Sequence, residues 1–104
     1  MNEVNLIGNI LGNLNFEKTK DGIEFAQTLL KVKKQFKEAN NDRDFDIFEI
    51  TMYGNTIEYA KEIVKDMKKV IVRGHLVSRN YPEDGLIKYS ASIIVDRIDE
   101  WEVL

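Results

Sequence analysis

Apolar and polar residues alternate from Glu24 to Lys34: Ala26, Thr28, Leu30 and Val32 fall on one face, and Gln27, Lys31 and Lys33 on the other. A half-buried strand requires this period of two, because successive side chains point to opposite faces of a sheet. The period returns from Phe45 to Tyr53, where Phe48, Ile50 and Met52, predicted as core, oppose Ile47, Glu49, Thr51 and Tyr53. Ahead of both, β-branched and apolar residues mixed with Gly8 and Gly12 predict a first strand over residues 3–11 that bends sharply. Val70 to Arg79, interrupted by Gly74, reads as a fourth strand with a bend or bulge, and Ile87 to Val95 as the strand that returns beside it.

The period changes after Gly54-Asn55. Ile57, Ala60, Ile63, Val64 and Met67 recur at helical spacing, with Glu58, Lys61, Glu62 and Lys65 opposite, so a helix running through Lys68 is predicted. Asn55 with Glu58 three residues on resembles a capping arrangement. Lys20-Asp21-Gly22 and Pro82-Glu83-Asp84-Gly85 carry turn chemistry, and the polar run Lys37 to Arg43 reads as a solvated loop. Five strands with one helix between the third and fourth describe an all-β protein: a five-stranded OB-fold, a small closed barrel with a helix plugging its end.

At 104 residues the chain is long enough for one modest core, so residues 1–104 are expected to form one OB-fold domain. No apolar run approaches the roughly 20 residues that span a bilayer, and the first residues lack a basic segment followed by an apolar one. The expected place is the cytoplasm, associated with the nucleoid. The absence of cysteine excludes disulfides, thiolate metal ligands and cysteine nucleophiles.

Candidate chemistry lies between Phe36 and Tyr81. Phe36, Tyr53 and Tyr81 stand beside Lys33, Lys34 and Arg79 on a strand-rich framework. Aromatic rings take the flat faces of unpaired bases at about 1–3 kcal/mol per base, and cations neutralise the phosphates between them. The formal net charge of −3, from 15 Lys and Arg against 18 Asp and Glu, opposes polyanion binding. Local placement matters more than the sum, and basic residues gather at Lys31, Lys33, Lys34 and Lys37 while acids gather at Asp42, Asp44, Asp46 and from Asp96 to Glu102. The lysines also fit an ordinary solvated strand edge that discourages aggregation.

The opening Met1-Asn2-Glu3-Val4-Asn5-Leu6-Ile7-Gly8-Asn9, the Asp21-Gly22 turn, the Phe48-to-Gly54 strand ending in an aromatic-Gly pair, and Arg73-Gly74-His75-Leu76 ahead of Ser78-Arg79-Asn80-Tyr81 together resemble the bacterial single-stranded DNA-binding protein family. The likeness covers almost the whole chain. It implies an OB-fold that assembles as a homodimer or homotetramer and wraps single-stranded DNA without sequence readout, serving replication, recombination or repair. It also implies that Phe36, Tyr53 and Tyr81 stack bases and that Arg79 contacts phosphate. Ile47 stands where a stacking aromatic is common, Glu49 where some members carry Arg, and Glu3 and Val77 where basic residues occur; each departure removes affinity. The family's glycine-rich linker and acidic tip are not in the sequence, which closes on Trp101-Glu102-Val103-Leu104, so few tail-recruited protein partners are expected. Oligomerisation is expected through the first strand, whose backbone edge can pair with its copy.

Catalysis and cofactors are not expected. His75, the sole histidine, sits mid-strand beside Gly74 and reads as a buried or interface imidazole. Asp42, Asp44 and Asp46 have the alternate spacing that opens a calcium loop, but Ile47 replaces the turn glycine and no bidentate Glu follows at the right offset. Trp101 reads as a packing or interface residue. Two other binding modes share this framework: an OB barrel whose acidic surface has moved from DNA to a protein partner, and the same groove holding RNA.

Overall fold

The computed structural model describes residues 1–36 and 44–102. Its elements run β1 (Val4–Lys18), β2 (Glu24–Lys33), β3 (Phe45–Tyr53), α1 (Asn55–Ile63), β4 (Lys69–Glu83) and β5 (Leu86–Glu100). The strands close into a barrel in the order β1-β2-β3-β5-β4, with the only helix among the described residues between β3 and β4, which is the expected OB-fold. All neighbours are antiparallel except β3 and β5, which meet in parallel through Ile50↔Ile93 and Thr51↔Ile94.

Alternation fills the barrel. Ala26↔Met52, Thr28↔Ile50 and Leu30↔Phe48 pair across β2–β3, Ile10↔Leu30 across β1–β2, and Val72↔Ile98 across β4–β5. Ile10, Ala26, Leu30, Ile50, Met52, Val70, Val72 and Ile98 are fully buried. Two glycines let strands cross at close range. A Cβ on Gly8 would collide with the carbonyl oxygen of Lys31, and one on Gly74 with that of Ile94. Gly74 lies where the β4–β5 register shifts, the bulge that its place in the sequence predicts.

The helix is shorter than its apolar stripe. Ile57, Ala60 and Ile63 plug the barrel, but α1 ends at Ile63, so the predicted continuation to Lys68 is corrected. The next segment is drawn onto β1 instead: Met67 N–H donates to the Ile10 carbonyl, Ile10 N–H to the Lys68 carbonyl, and Gly12 N–H to Asp66 Oδ1 at 2.7 Å. These bonds hold Met67 at a φ of 70° and leave its side chain exposed, so Met67 is not core. The Asn55–Glu58 capping arrangement is also corrected: Gly54 occupies the N-cap with no side-chain bond, and Glu58 Oε1 instead accepts from Lys61 Nζ at 3.1 Å.

Three strands exceed their predicted spans. β1 continues past residue 11 through a register irregularity between Leu11 and Asn15, where Gly12 takes a φ of 85°. β4 and β5 run on to a tight turn at Asp84-Gly85, both with positive φ, as a two-residue hairpin requires. Their distal halves leave the barrel as an exposed two-stranded arm.

Candidate nucleic-acid interface

The outward face of β2–β3 is a ladder of cross-strand pairs. Lys33↔Phe45, Lys31↔Ile47, Leu29↔Glu49, Gln27↔Thr51 and Phe25↔Tyr53 follow one another without a register shift. Residues directly opposite share a face, so the outward residues of the two strands form one surface. At one end the rings of Phe25 and Tyr53 meet at 5.8 Å between centroids with a 37° tilt. At the other, Lys31 Nζ lies 4.0 Å from the centre of the Phe45 ring. Between them Leu29 and Ile47 are exposed, and Glu49 Oε1 accepts from Gln27 Nε2 at 3.1 Å.

Lys33, Lys34 and Phe36 come together at the end of β2. They line a cavity of about 400 Å³ with Leu6, Val32 and Phe48. Their charges are not equivalent. Lys34 Nζ is 3.2 Å from Asp46 Oδ1 and its side chain is only 14% exposed, so it is already neutralised. Lys33 is exposed and has no ion-pair partner among the described residues. Phe36 is 82% exposed, which leaves both ring faces open.

Arg79 and Tyr81 lie together on the arm, two residues apart on one face of β4 and opposite Ser90 and Lys88 of β5. Both are exposed, and Arg79 has no ion-pair partner among the described residues. Among the described residues no ring contact or hydrogen bond joins them to the β2–β3 face; only the direction of the strands relates the two. β3 and β5 run parallel through Ile50↔Ile93 and Thr51↔Ile94, and the arm precedes Ile93 in β5 as Phe45 precedes Ile50 in β3. The arm therefore departs on the Phe45 side of that contact, while Tyr53 lies on the other side.

Sequence reasoning missed Phe25 and Phe45. The signal was available in the alternation, which puts both on the outward face, but only the register places Phe25 against Tyr53 and Phe45 under Lys31. Of the reading of His75 as a buried or interface imidazole, the buried alternative is corrected. The ring is half-exposed rather than buried, and its Nδ1 lies 2.9 Å from Asp96 Oδ2 beside the β4–β5 bulge. Of the Asp42, Asp44 and Asp46 spacing, Asp46 is engaged by Lys34 and Asp42 lies outside the described residues with the rest of the 37–43 segment; no metal-ligand cluster occurs among the described residues. Trp101 is partly exposed, with Lys69 Nζ 5.9 Å from its ring centre.

One further cluster sits on the helix side. Asp99 accepts from Arg97 Nε at 2.7 Å and from the Tyr59 hydroxyl at 3.1 Å. The Arg97 bond, helped by Tyr59, holds the Asp99 carboxyl below the ordinary carboxylate range against the opposing cost of burial. The bond to Asp99 and its negative charge raise the Tyr59 phenol above its ordinary value, and raise Arg97 as well.

A model of the single-strand binding protein family matches residues 1–100. The chain belongs to that family. Among curated members, single-stranded DNA-binding protein 1 of Streptococcus pyogenes is 25% identical over 93 residues, covering 89% of this chain and 71% of the relative. Single-stranded DNA-binding protein B of Bacillus subtilis is 26% identical over 98 residues, covering 93% and 87%. Among solved structures, a Plasmodium falciparum SSB in complex with ssDNA superposes with a TM-score of 0.70 at 20% identity, over 95% of this chain and 91% of the other. A deletion mutant of the Thermus aquaticus single-stranded DNA binding protein gives 0.74 at 20% identity, over 98% of this chain and 51% of the other. At such identities the superpositions speak for the barrel, and the family model over residues 1–100 speaks for membership.

Proposed function

We propose that this protein binds single-stranded DNA without sequence readout, stacking bases on Tyr53, Tyr81 and Phe36 and holding phosphates with Lys33 and Arg79. The observations that support this reading are an exposed Phe36 beside a Lys33 with no ion-pair partner among the described residues at the end of β2, and an exposed Arg79 with Tyr81 on one face of the arm, in a member of the single-strand binding protein family. Stacking tolerates any base, because every base has a π face. Lys34 contributes less than its neighbours, since a phosphate must displace Asp46 to reach it.

The role is protective and non-enzymatic, exercised on cytoplasmic, nucleoid-associated DNA during replication, recombination or repair. No helix among the described residues is long and apolar enough to cross a membrane. Assembly as a homodimer or homotetramer uses β1. Val4 to Gly8 pair with β4 on one edge, whereas pairing to β2 begins only at Asn9, so the other edge of this segment has no strand partner among the described residues. A second copy of β1 fits there by strand addition.

The test is an anisotropy titration with oligo-dT at several salt concentrations, paired with a solution mass measurement. Tight binding that weakens steeply with salt and falls on Tyr81→Ala is expected; no binding at low salt overturns the reading. A mass equal to one chain overturns the assembly. The exposed Leu29 and Ile47 around Glu49 favour, as a second reading, a protein-docking barrel, which predicts no salt-dependent oligo-dT binding. Competition with a matched RNA oligomer separates DNA from RNA recognition.

A further inference from the structure

We infer that Phe45 is an additional base-stacking station, held ready by Lys31, and that it extends the bound strand to the Lys33–Phe45 end of the β2–β3 ladder. This rests on the single-stranded DNA reading above and deepens it.

Three observations converge on Phe45. Its ring is 40% exposed although it lies on the alternating face of a regular strand, so the face is open to a ligand. Lys31 Nζ sits 4.0 Å above the ring centre, and Lys33 stands directly opposite on β2. A ring with one ammonium over it and a second lysine opposite on the neighbouring strand is the local chemistry of a nucleotide: a flat base for the π face and a phosphate for the cations. The third is position. β3 and β5 run parallel through Ile50↔Ile93, so the arm that carries Tyr81 departs on the same side of that contact as Phe45.

Phe45 and Tyr53 are eight residues apart on one face, about 27 Å along an extended strand at roughly 3.4 Å per residue. The middle of that track is apolar, with Leu29 and Ile47 exposed and Glu49 the one acidic residue on the ladder. Phosphates avoid Glu49 and bases do not, so charge contacts concentrate at the Lys31–Lys33 end. When a base enters, the Lys31 ammonium leaves the ring for the adjacent phosphate. One weak surface contact is exchanged for one stacking and one ionic contact, and the long lysine stem allows that movement with no change in the strand.

The experiment uses the full chain and oligo-dT of graded length. Phe45→Ala is expected to weaken binding about five- to a hundred-fold, with the loss appearing only on oligomers long enough to span the ladder. Lys31→Gln is expected to lower the slope of log affinity against log salt by about 0.7. Phe45→Trp supplies a direct reading: the natural chain has a single tryptophan, at position 101, so emission gained by the variant and quenched on adding oligo-dT reports a base on that ring. If wild type binds and Tyr81→Ala weakens it, while Phe45→Ala binds as wild type and the added emission of Phe45→Trp is unchanged by DNA, the Phe45 station is refuted and the general reading stands. If wild type itself does not bind at low salt, both are refuted. Because Phe45 is exposed, wild-type circular dichroism is expected of all three variants; if Phe45→Ala is unfolded, the quenching of Phe45→Trp decides alone.

Discussion

Asp46 holds Lys34 across 3.2 Å, so the cavity that gathers Lys33, Lys34 and Phe36 carries less positive charge than its sequence suggests. The pair restrains DNA affinity, because any phosphate reaching Lys34 must compete with a carboxylate already in place. Asp46→Asn removes that competitor and keeps the side chain's shape. Tighter oligo-dT binding is expected, with a salt dependence steeper by up to about 0.7 in log–log slope as Lys34 becomes a phosphate ligand. Isothermal titration at three salt concentrations checks this. Unchanged affinity and slope would mean that Lys34 faces away from the strand.

The Tyr59–Asp99–Arg97 cluster predicts a pH window. The Asp99 carboxyl titrates below its ordinary value in the folded protein, so its contribution to stability is present above about pH 4 and is lost as pH falls through the folded value. Tyr59 works from the alkaline side. Its raised phenol favours the folded state below about pH 10, and that contribution fades as pH rises through the folded value. These exposed groups predict a shallow plateau between the two limits rather than a sharp optimum. In Tyr59→Phe, the Asp99 carboxyl is expected to move up towards the ordinary range but to stay below it, because the stronger Arg97 bond remains. Carboxyl titration by NMR reads both values.

The barrel was legible wherever alternation ran undisturbed. β2 and β3 alternate, and their predicted inward faces agree with burial at Ala26, Thr28, Leu30, Ile50 and Met52, although Thr51 on the opposite face of β3 is buried as well. Legibility failed where the backbone made a non-local bond. Nothing in the apolar stripe from Ile57 to Met67 announces that Met67 and Lys68 will pair with Ile10, because that choice is made by a strand far away in sequence. The site divides in the same way. Arg79 and Tyr81 share a face by parity alone, but the pairing of Lys34 with Asp46 and of Lys31 with Phe45 depends on the β2–β3 register, which a single strand's pattern does not contain.

Gly74 offers a test of close approach. Its φ is not in the left-handed region, so any cost of a side chain there comes from space and not from backbone conformation. A Cβ would collide with the Ile94 carbonyl oxygen, which is backbone in a paired strand and cannot rotate away. Gly74→Ala is expected to destabilise by about 1–3 kcal/mol, the usual cost of overpacking. Urea denaturation should show a lower midpoint. Gly85→Ala is a contrast: no atom crowds its Cβ, and the strain arises from a φ of 77°.

Thr28 predicts a gain. Its side chain is 2% exposed within the barrel and its hydroxyl has no hydrogen-bond partner among the described residues, so folding strips water from a polar group and returns nothing. Thr28→Val keeps the β-branched shape that packs opposite Ile50 and exchanges the stranded hydroxyl for a methyl. Such a swap usually breaks a bond; here there is none to break, and stabilisation of about 1 kcal/mol is expected. Thr28→Ser is the opposing control, since it keeps the hydroxyl and deletes the methyl, leaving a small void that costs about 1 kcal/mol. The two variants should move the urea midpoint in opposite directions with unchanged slope, and a Thr28→Val protein less stable than wild type would show that the hydroxyl has a partner after all, with ordered water the first candidate.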